Sequence, residues 1–345
     1  MLEAAHWSLA TSISLFVVAA VVIGVAGQSL AGLADRWADK TGLGEAITGV
    51  LFLGASTSLP GIVTSLAAAI DGRAELAVSN ALGDIAAQTA FLAVADIAYR
   101  KANLEHAAAS AATIMQAALL ITLLAIPLVA TMSPEVTLWQ VHPATPLLII
   151  AYLYGLRLVY QVQQQPMWQP FQTQETQSDE LEKGGPESAG LVELGLRFIF
   201  LAVIVGATGR VLELAGVSIS MRTGLSETLV GGIFTAISTS LPELVTSVAA
   251  VQRGAVILAV SGIIGGNAFD TLLLAFSDIA YRKGSIYHAL TEREIFLLAL
   301  TILMTGVLLM GLIRREEHGI ANIGFESFLI LVLYVGAFSL LFLNG

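Results

Sequence analysis

The sequence STSLPGIVTSLAAA at residues 56–69 recurs as STSLPELVTSVAAV at residues 238–251, and this recurrence is the main indication of the architecture. The offset of 182 holds without a gap through ADIAYRK at 95–101 and SDIAYRK at 277–283. Across residues 56–101, 26 of 46 positions are identical to their counterparts. The 345-residue chain is therefore two copies of one unit, and such a repeat constrains the architecture before any motif is considered.

The composition indicates a membrane protein. Hydrophobic residues make up 56% of the chain and charged residues only 12%, with a mean hydropathy of +0.81. Soluble domains carry about 25% charged residues. The same numbers exclude a disordered chain and a disulfide scaffold, and the absence of cysteine removes thiol catalysis and Cys-based zinc sites. A net charge of -10 argues against a nucleic-acid partner, which requires a basic surface.

Ten apolar segments are long enough to cross a hydrocarbon core, which takes about 20 helical residues. They are 8–30, 46–70, 76–98, 107–131, 145–162, 191–212, 227–250, 255–279, 294–313 and 323–343. Because five spans per copy is an odd number, the second copy enters the membrane from the opposite side. We predict an all-α polytopic membrane protein of two inverted five-helix repeats. These are residues 1–162, with a core at 45–101, and residues 191–345, with a core at 227–283.

The polar linker 163–190 is expected on the cytoplasmic side. The loops on the same side of the membrane as the linker carry ten Lys and Arg residues, and those on the opposite side carry six. By the positive-inside rule the side with ten is cytoplasmic, which places both termini outside. Two further interpretations follow from the repeat. Asp96 and Asp278 are expected to be structural, as interfacial anchors paired with nearby Arg or Lys. Glycine pairs in the first and sixth spans, 24/27 and 206/209, are expected to let those helices slide closely.

A proline interrupts the same apolar span in each copy. Proline has no N–H, so Pro60 and Pro242 should free the carbonyls of Ser56 and Ser238. The hydroxyls of four neighbours add further oxygens: Thr57, Ser58, Thr239 and Ser240. Matching broken helices in the two halves indicate a transporter's ion site. The alternative is an ordinary kink with hydroxyls bonded back to the helix, and the symmetric recurrence beside acids favours the ion site.

Acidic residues at membrane depth are costly and mark functional sites. Glu243 follows Pro242 directly, Asp270 ends GGNAFD at 265–270, and Asp84 precedes Gln88 by one helical turn. No basic residue lies at comparable depth in these four spans, so the expected partner is a cation. Oxygen ligands alone suit Ca²⁺, Mg²⁺, Na⁺, K⁺ or H⁺ and disfavour Zn²⁺ and Cu²⁺. Several carboxylates with flexible carbonyls suit Ca²⁺, hydroxyl and carbonyl pairs suit Na⁺, and the residues alone leave the choice open.

The paired TSLP(E) helices, each followed by a helix of GGNAFD type, resemble the two alpha-repeats of the sodium/calcium exchanger family, within the cation/calcium antiporter superfamily. The resemblance covers essentially the whole chain. It implies ten helices, inverted halves, a midplane cluster of ion sites and exchange of Ca²⁺ against Na⁺, or in relatives against H⁺ or with K⁺ co-transport. The family motif carries over to Thr57, Ser58, Thr239, Ser240, Glu243 and Asp270.

Three positions depart from that family pattern. Gly61 stands where an acid is expected, Asp84 where Ser or Asn is usual, and Gln88 where Asn or Asp is common. We interpret this as one carboxylate moved from the second helix to the third, which keeps the number of acids at three.

The leading hypothesis is a Ca²⁺/Na⁺ antiporter without a cofactor, an integral protein of a prokaryotic plasma (inner) membrane. Its partners are inorganic cations and the lipid bilayer. The alternative is an H⁺-coupled or monovalent cation exchanger, because Gly61 replaces the expected acid. A hypothesis from another class is an intramembrane aspartyl hydrolase using Asp84 and Asp270, which no protease motif accompanies.

Overall fold

The computed structural model describes residues 7–41, 55–99, 102–169, 190–252, 256–317 and 324–343, with the single residues 171, 254 and 319. Twelve α-helices lie within these ranges: α1 (Leu9–Thr41), α2 (Leu59–Ile70), α3 (Ala74–Ala98), α4 (Leu104–Ala107), α5 (Ala111–Met132), α6 (Ala144–Gln164), α7 (Leu191–Thr223), α8 (Glu227–Thr239), α9 (Leu241–Gln252), α10 (Val256–Ala280), α11 (Glu292–Arg314) and α12 (Phe325–Leu343). A short 3₁₀-helix, Ile286–Ala289, precedes α11.

The described helices agree with the predicted spans. Eight of them are long and apolar enough to cross a membrane, and α8 with α9, bent by 47° at their junction, make a ninth. The predicted span 46–70 contains α2, although residues 42–54 lie outside the described residues. Most of the predicted linker, residues 172–189, also lies outside them, as do Arg100 and Lys101. The predicted fold class, an all-α membrane protein with inverted repeats, is confirmed.

Each repeat packs its central helix against the outer helices of the other repeat. The two central helices, α3 and α10, cross each other, α3 contacts α11 and α12, and α10 contacts α5 and α6. In the same reciprocal way α2 packs against α7, and α9 packs against α1. This exchange of neighbours is the arrangement that a pseudo-two-fold axis in the membrane plane produces.

The pair formed by α1 and α7 lies at the periphery. In the most apolar 18-residue stretch of α3, 94% of the residues are buried inside the protein. The corresponding share is 17% in α1 and 11% in α7. Many outward side chains of this pair are aliphatic, among them Val21 and Val25 on α1 and Ile199 and Val203 on α7. A band of exposed apolar side chains on fully hydrogen-bonded helices suits contact with lipid.

The two prolines open helices. Pro60 lies in the first turn of α2, where a missing N–H leaves no helical bond unmade, and Pro242 has the same place in α9. Ser58 and Ser240 occupy the turn just before each of these helices. In the second repeat a π-helical stretch, Val230–Thr235, also widens the preceding helix. Both broken helices therefore place their hydroxyl residues at a break in the backbone.

Two buried aspartates tie the repeats together near the ends of the central helices. Asp96 accepts a hydrogen bond from the amide of Gly324 at 3.0 Å, and Asp278 accepts one from the amide of His142 at 2.9 Å. Each also accepts the amide eight residues further along, at 2.7 Å and 2.9 Å. The expected structural role is observed, but these bonds come from backbone amides rather than from Arg or Lys, because the carboxylates are buried against loop backbone.

Candidate cation site

Two carboxylates, one from each repeat, lie where the central helices cross. Asp84 belongs to α3 and Asp270 to α10, and their exposed fractions are 3% and 1%. Burying an ionised carboxylate costs several kcal/mol unless hydrogen bonds or a counter-charge compensate. The groups around these two carboxylates therefore decide what the site can bind.

Asp84 is held by hydroxyl groups from the broken helix of the other repeat. Its Oδ1 accepts hydrogen bonds from Thr239 Oγ1 at 2.6 Å and from Ser240 Oγ at 2.9 Å. Its Oδ2 accepts one from Asn80 Nδ2 at 3.2 Å, one turn earlier on α3. The same amide group donates to Ser65 Oγ of α2 at 3.1 Å. Asp84 thus joins the broken helices of both repeats.

Asp270 has the reciprocal arrangement. Its Oδ1 accepts from Ser58 Oγ, at the break before α2, at 2.5 Å, and its Oδ2 accepts from Gln88 Nε2 at 2.8 Å. The Gln88 amide also lies 3.4 Å from Ser240 Oγ, which is bonded to Asp84. Gln88 therefore connects the two carboxylate centres into one hydrogen-bonded network.

Glu243 adds a third acid in the first turn of α9. It is 9% exposed, and within the described part of the chain its Oε2 has no hydrogen-bond partner. Helix α9, which carries Glu243, packs against both central helices. Three acids from the two repeats therefore lie on helices that meet at this crossing.

The space beside Gly61 is filled by Asp84. A Cβ at residue 61 would lie 2.8 Å from Asp84 Oδ2, closer than real Cβ contacts come. The repeat partner of Gly61 is Glu243, and the repeat partner of Asp84 is Gly266. Each half therefore has one acid and one glycine at these two positions, with the order exchanged between the halves. This arrangement agrees with the interpretation that a carboxylate moved from the second helix to the third.

Three buried amide oxygens on the two central helices have no hydrogen-bond partner among the described residues. They are Asn80 Oδ1, Gln88 Oε1 and Asn267 Oδ1, while the Asn267 amide donates to Thr89 Oγ1 at 3.0 Å. Sequence reasoning did not select Asn80 or Asn267. The available signals were the spacing of four residues from Asn80 to Asp84, which puts both on one helix face, and the presence of Asn267 within GGNAFD. Unpaired amide oxygens are suitable ligands for a hard cation.

Seven of the ten predicted site residues lie in this cluster: Ser58, Asp84, Gln88, Thr239, Ser240, Glu243 and Asp270. Ser56 is buried and Thr57 is half-buried, both just before Ser58. The hydroxyl of Ser238 donates to the carbonyl of Phe234 at 2.7 Å, within its own helix.

The ligands available in this cluster are all oxygen atoms. Within the ranges that the structure describes, no group of three or more His, Asp or Glu side chains could by itself hold a metal ion. A cation bound here would consequently need hydroxyl, amide or backbone oxygens in addition to the carboxylates. Such mixed oxygen sets suit hard cations. They do not suit zinc or copper, which prefer nitrogen and sulfur ligands.

The peripheral helices contact the prolines through glycines, reciprocally in the two halves. A Cβ at Gly27 of α1 would lie 2.5 Å from Cγ of Pro242, and one at Gly209 of α7 would lie 3.1 Å from the carbonyl oxygen of Pro60. Only glycine allows the helix backbones to approach the breaks so closely. The predicted glycine pairs thus lie directly over the candidate site's broken helices.

Comparisons with known proteins agree with the fold. The family described as "Sodium/calcium exchanger protein" matches residues 11–163 and 193–343. The putative antiporter CaxA of Alkalimonas amylolytica is 28% identical over 301 residues, 86% of this chain and 88% of that protein. The inner membrane protein YrbG of Escherichia coli (strain K12) is 25% identical over 295 residues, 86% of this chain and 87% of that protein.

A solved structure shares the fold. The crystal structure of the H⁺/Ca²⁺ exchanger CAX superposes with a TM-score of 0.71 at 12% identity, covering 96% of this chain and 84% of that chain. At this identity the likeness concerns the fold alone. With both repeats matched by one family over most of their length, the chain is a membrane antiporter and not an enzyme, and it belongs to the sodium/calcium exchanger protein family.

Proposed function

We propose that this protein exchanges Ca²⁺ against Na⁺ across the membrane. The observation that carries the proposal is the buried hydrogen-bonded network in which Gln88 and Ser240 link Asp270 to Asp84, one carboxylate from each repeat. Glu243 lies on α9, which packs against both central helices. Ca²⁺ takes six to eight oxygen ligands in flexible geometry. Three carboxylates, the hydroxyls of Ser58, Thr239 and Ser240, and unpaired amide oxygens supply such a set.

Exchange follows from competition for these oxygens. One Ca²⁺ brings two positive charges to the three acids, whereas sodium ions bring one charge each and occupy hydroxyl and carbonyl oxygens beside the carboxylates. Since both kinds of ion need the same carboxylates, binding of one disfavours binding of the other. Net transport in one direction is thereby coupled to movement of the counter-ion in the other.

Alternating access would come from α1 and α7. Both lie outside the core, and their glycines contact the prolines that begin α2 and α9. A shift of these two helices across the breaks opens a route to the cluster from one side and closes it from the other, by a small sliding of packed helices. The pseudo-two-fold relation makes the two outcomes equivalent in geometry.

An H⁺-coupled or monovalent cation exchanger is the second candidate. The observation that favours it is Gly61, which leaves the first repeat without the acid that Glu243 supplies in the second. Buried carboxylates without a basic partner can also be neutralised by protons, since desolvation disfavours their charged form. In this case protons would take the place of Na⁺ as the counter-ion.

Reconstitution of the full chain in liposomes separates the two candidates. Ca²⁺ uptake driven by an outward Na⁺ gradient at equal pH supports the first, and uptake driven only by a pH gradient supports the second. Glu243→Gln and Asp270→Asn should each abolish uptake, whereas Glu193→Gln, in the exposed ion pair with Arg197, should not. Unchanged uptake in both site variants would show that the cluster is not the transport site.

For the location of the protein we propose the plasma (inner) membrane of a prokaryote, with the linker 163–190 on the cytoplasmic side. The natural chain has no cysteine, so single cysteines introduced in the linker and in the loop between α5 and α6 report sidedness without background. In intact cells, a membrane-impermeant maleimide should label only the loop. Labelling of the linker alone would reverse the orientation.

A further inference from the structure

Two tyrosines related by the repeat bury their hydroxyl groups without using them. Tyr152 on α6 and Tyr334 on α12 are 182 residues apart, the offset that relates the two repeats. Each hydroxyl oxygen is inaccessible to solvent, and neither has a hydrogen-bond partner within the described ranges. Tyr287, by comparison, is also buried and has its hydroxyl 3.0 Å from Thr145 Oγ1.

Each of these two tyrosines lies on a helix that packs against the central helix carrying a site carboxylate of the opposite repeat. Helix α6 packs against α10, and the Tyr152 ring contacts Phe269 edge-on, at 6.1 Å between ring centroids, directly beside Asp270. Helix α12 packs against α3, and the Tyr334 ring contacts Phe338 at 4.8 Å between ring centroids. A Cβ at Gly232 would lie 3.1 Å from the Phe338 ring, and a Cβ at Gly83, the neighbour of Asp84, would lie 2.6 Å from Cα of Gly232. Tyr152 therefore lies near Asp270, and Tyr334 lies near Asp84.

An unused buried hydroxyl is costly. A buried donor left unsatisfied destabilises a protein by about 1–3 kcal/mol, and phenylalanine would fill the same space without that cost. Two such hydroxyls at equivalent positions indicate that another state of the protein exists in which they form hydrogen bonds. In the present state Ser58 donates to Asp270, while Thr239 and Ser240 donate to Asp84. These are the hydroxyls whose oxygens a bound cation would attract.

We propose that Tyr152 and Tyr334 are positioning residues of the cation site. When a cation is bound, Tyr152 donates its O–H to Asp270 and Tyr334 donates its O–H to Asp84. When the serine and threonine oxygens turn toward the ion, their O–H groups leave the carboxylates, and the phenols take over as donors. Hydrogen bonds to ligating carboxylates fix their orientation and tune affinity. This inference rests on the proposed cation site, although it holds for either counter-ion.

The test measures cation binding by the purified full chain with Ca²⁺ alone and with Na⁺ alone. Tyr152→Phe and Tyr334→Phe each remove one oxygen and should weaken binding of the transported cation by about tenfold, the lower end of the effect of such supporting groups. Tyr154→Phe is the matched control, because that side chain is on the same helix and 60% exposed. Melting temperatures of both variants should equal or exceed that of the parent, since each loses an unsatisfied donor.

Infrared difference spectra recorded with and without the cation distinguish a positioning role from a purely structural one. Tyrosines that only pack would show no cation-dependent change in their C–O band. The parent should show a cation-induced change in the tyrosine C–O band, and each variant should lose part of it. If Asp84→Asn and Asp270→Asn abolish binding while both tyrosine variants bind like the parent and the tyrosine band is silent, the inference is wrong and the site stands. If the aspartate variants bind every cation normally, the proposed site itself is wrong.

Discussion

The exchange of acid and glycine between the two halves predicts the result of restoring the missing acid. Gly61→Glu adds a fourth carboxylate, and its Cβ alone would lie 2.8 Å from Asp84 Oδ2 and 3.4 Å from Cδ2 of Leu273. Asp84 has to move, which strains its bonds to Thr239 and Ser240 at 2.6 Å and 2.9 Å. Two carboxylates held about 4 Å apart repel by about 4 kcal/mol at an effective dielectric constant of about 20.

We therefore expect Gly61→Glu alone to lower the initial rate of cation transport by more than tenfold, since about 1.4 kcal/mol of barrier already corresponds to a factor of ten. Gly61→Ala separates the steric part, because it adds the Cβ without a charge. Asp84→Gly alone removes one of three acids and should also abolish transport.

The double variant Gly61→Glu with Asp84→Gly gives the first half the arrangement of Glu243 and Gly266 and restores three acids. Its uptake in liposomes should exceed that of either single variant by at least tenfold. Two results would refute the reasoning: transport by Gly61→Glu equal to the parent, or a double variant no better than the two singles. Either would mean that the position of the third carboxylate does not depend on the space beside residue 61.

Three further predictions concern the helices around the site. Gly27→Ala places a methyl group 2.5 Å from Cγ of Pro242. Exchange in liposomes should therefore slow, while equilibrium cation binding by the purified protein stays within twofold of the parent. Gly306→Ala, with open space around its Cβ, is the control. Asp278→Ala leaves two backbone amides and a hydroxyl without their acceptor and should lower the free energy of unfolding by about 3 kcal/mol or more, seen as a lower melting temperature; an unchanged value would contradict the anchoring role. Burial, followed by the nearby Asp96 charge, raises the pKa of Glu105 from 4.5 to about 7, so its contribution to stability is present below pH 4.5 and is lost as pH rises through 7. Melting temperatures measured from pH 5 to 8 should fall with pH in the parent and less steeply in Glu105→Gln, and parallel curves would rule out this carboxyl as the cause.

Much of the site was predictable because its chemistry is local in the chain. Glu243 follows a proline within an apolar span, and Asp270 closes a short polar motif, so both were visible as acids at membrane depth. Hydroxyls directly before the prolines were visible for the same reason. Asn80 and Asn267 were passed over, because a single amide in an apolar helix does not reveal which neighbours it faces.

The sequence does not indicate a role for the two tyrosines, for a different reason. Tyr152 and Tyr334 match at the repeat offset, yet an aromatic residue in an apolar helix is ordinarily a packing residue. Their relation to Asp270 and Asp84 exists only because α6 and α12 each pack on the central helix of the other repeat. A contact between the two halves of the chain cannot be predicted from the spacing of residues within one helix.

The duplication and the inverted membrane topology can be predicted from the chain read in order, because they depend on hydrophobic length and on identity at an offset of 182. The same reading predicts which acids lie at membrane depth. The arrangement of these acids depends on contacts between distant residues: Thr239 bonds to Asp84 across 155 residues, and Ser58 bonds to Asp270 across 212. The candidate site forms where two halves cross, so each carboxylate takes its hydroxyl partners from the opposite repeat. The carboxylate of Asp84 also fills the space that Gly61 leaves open.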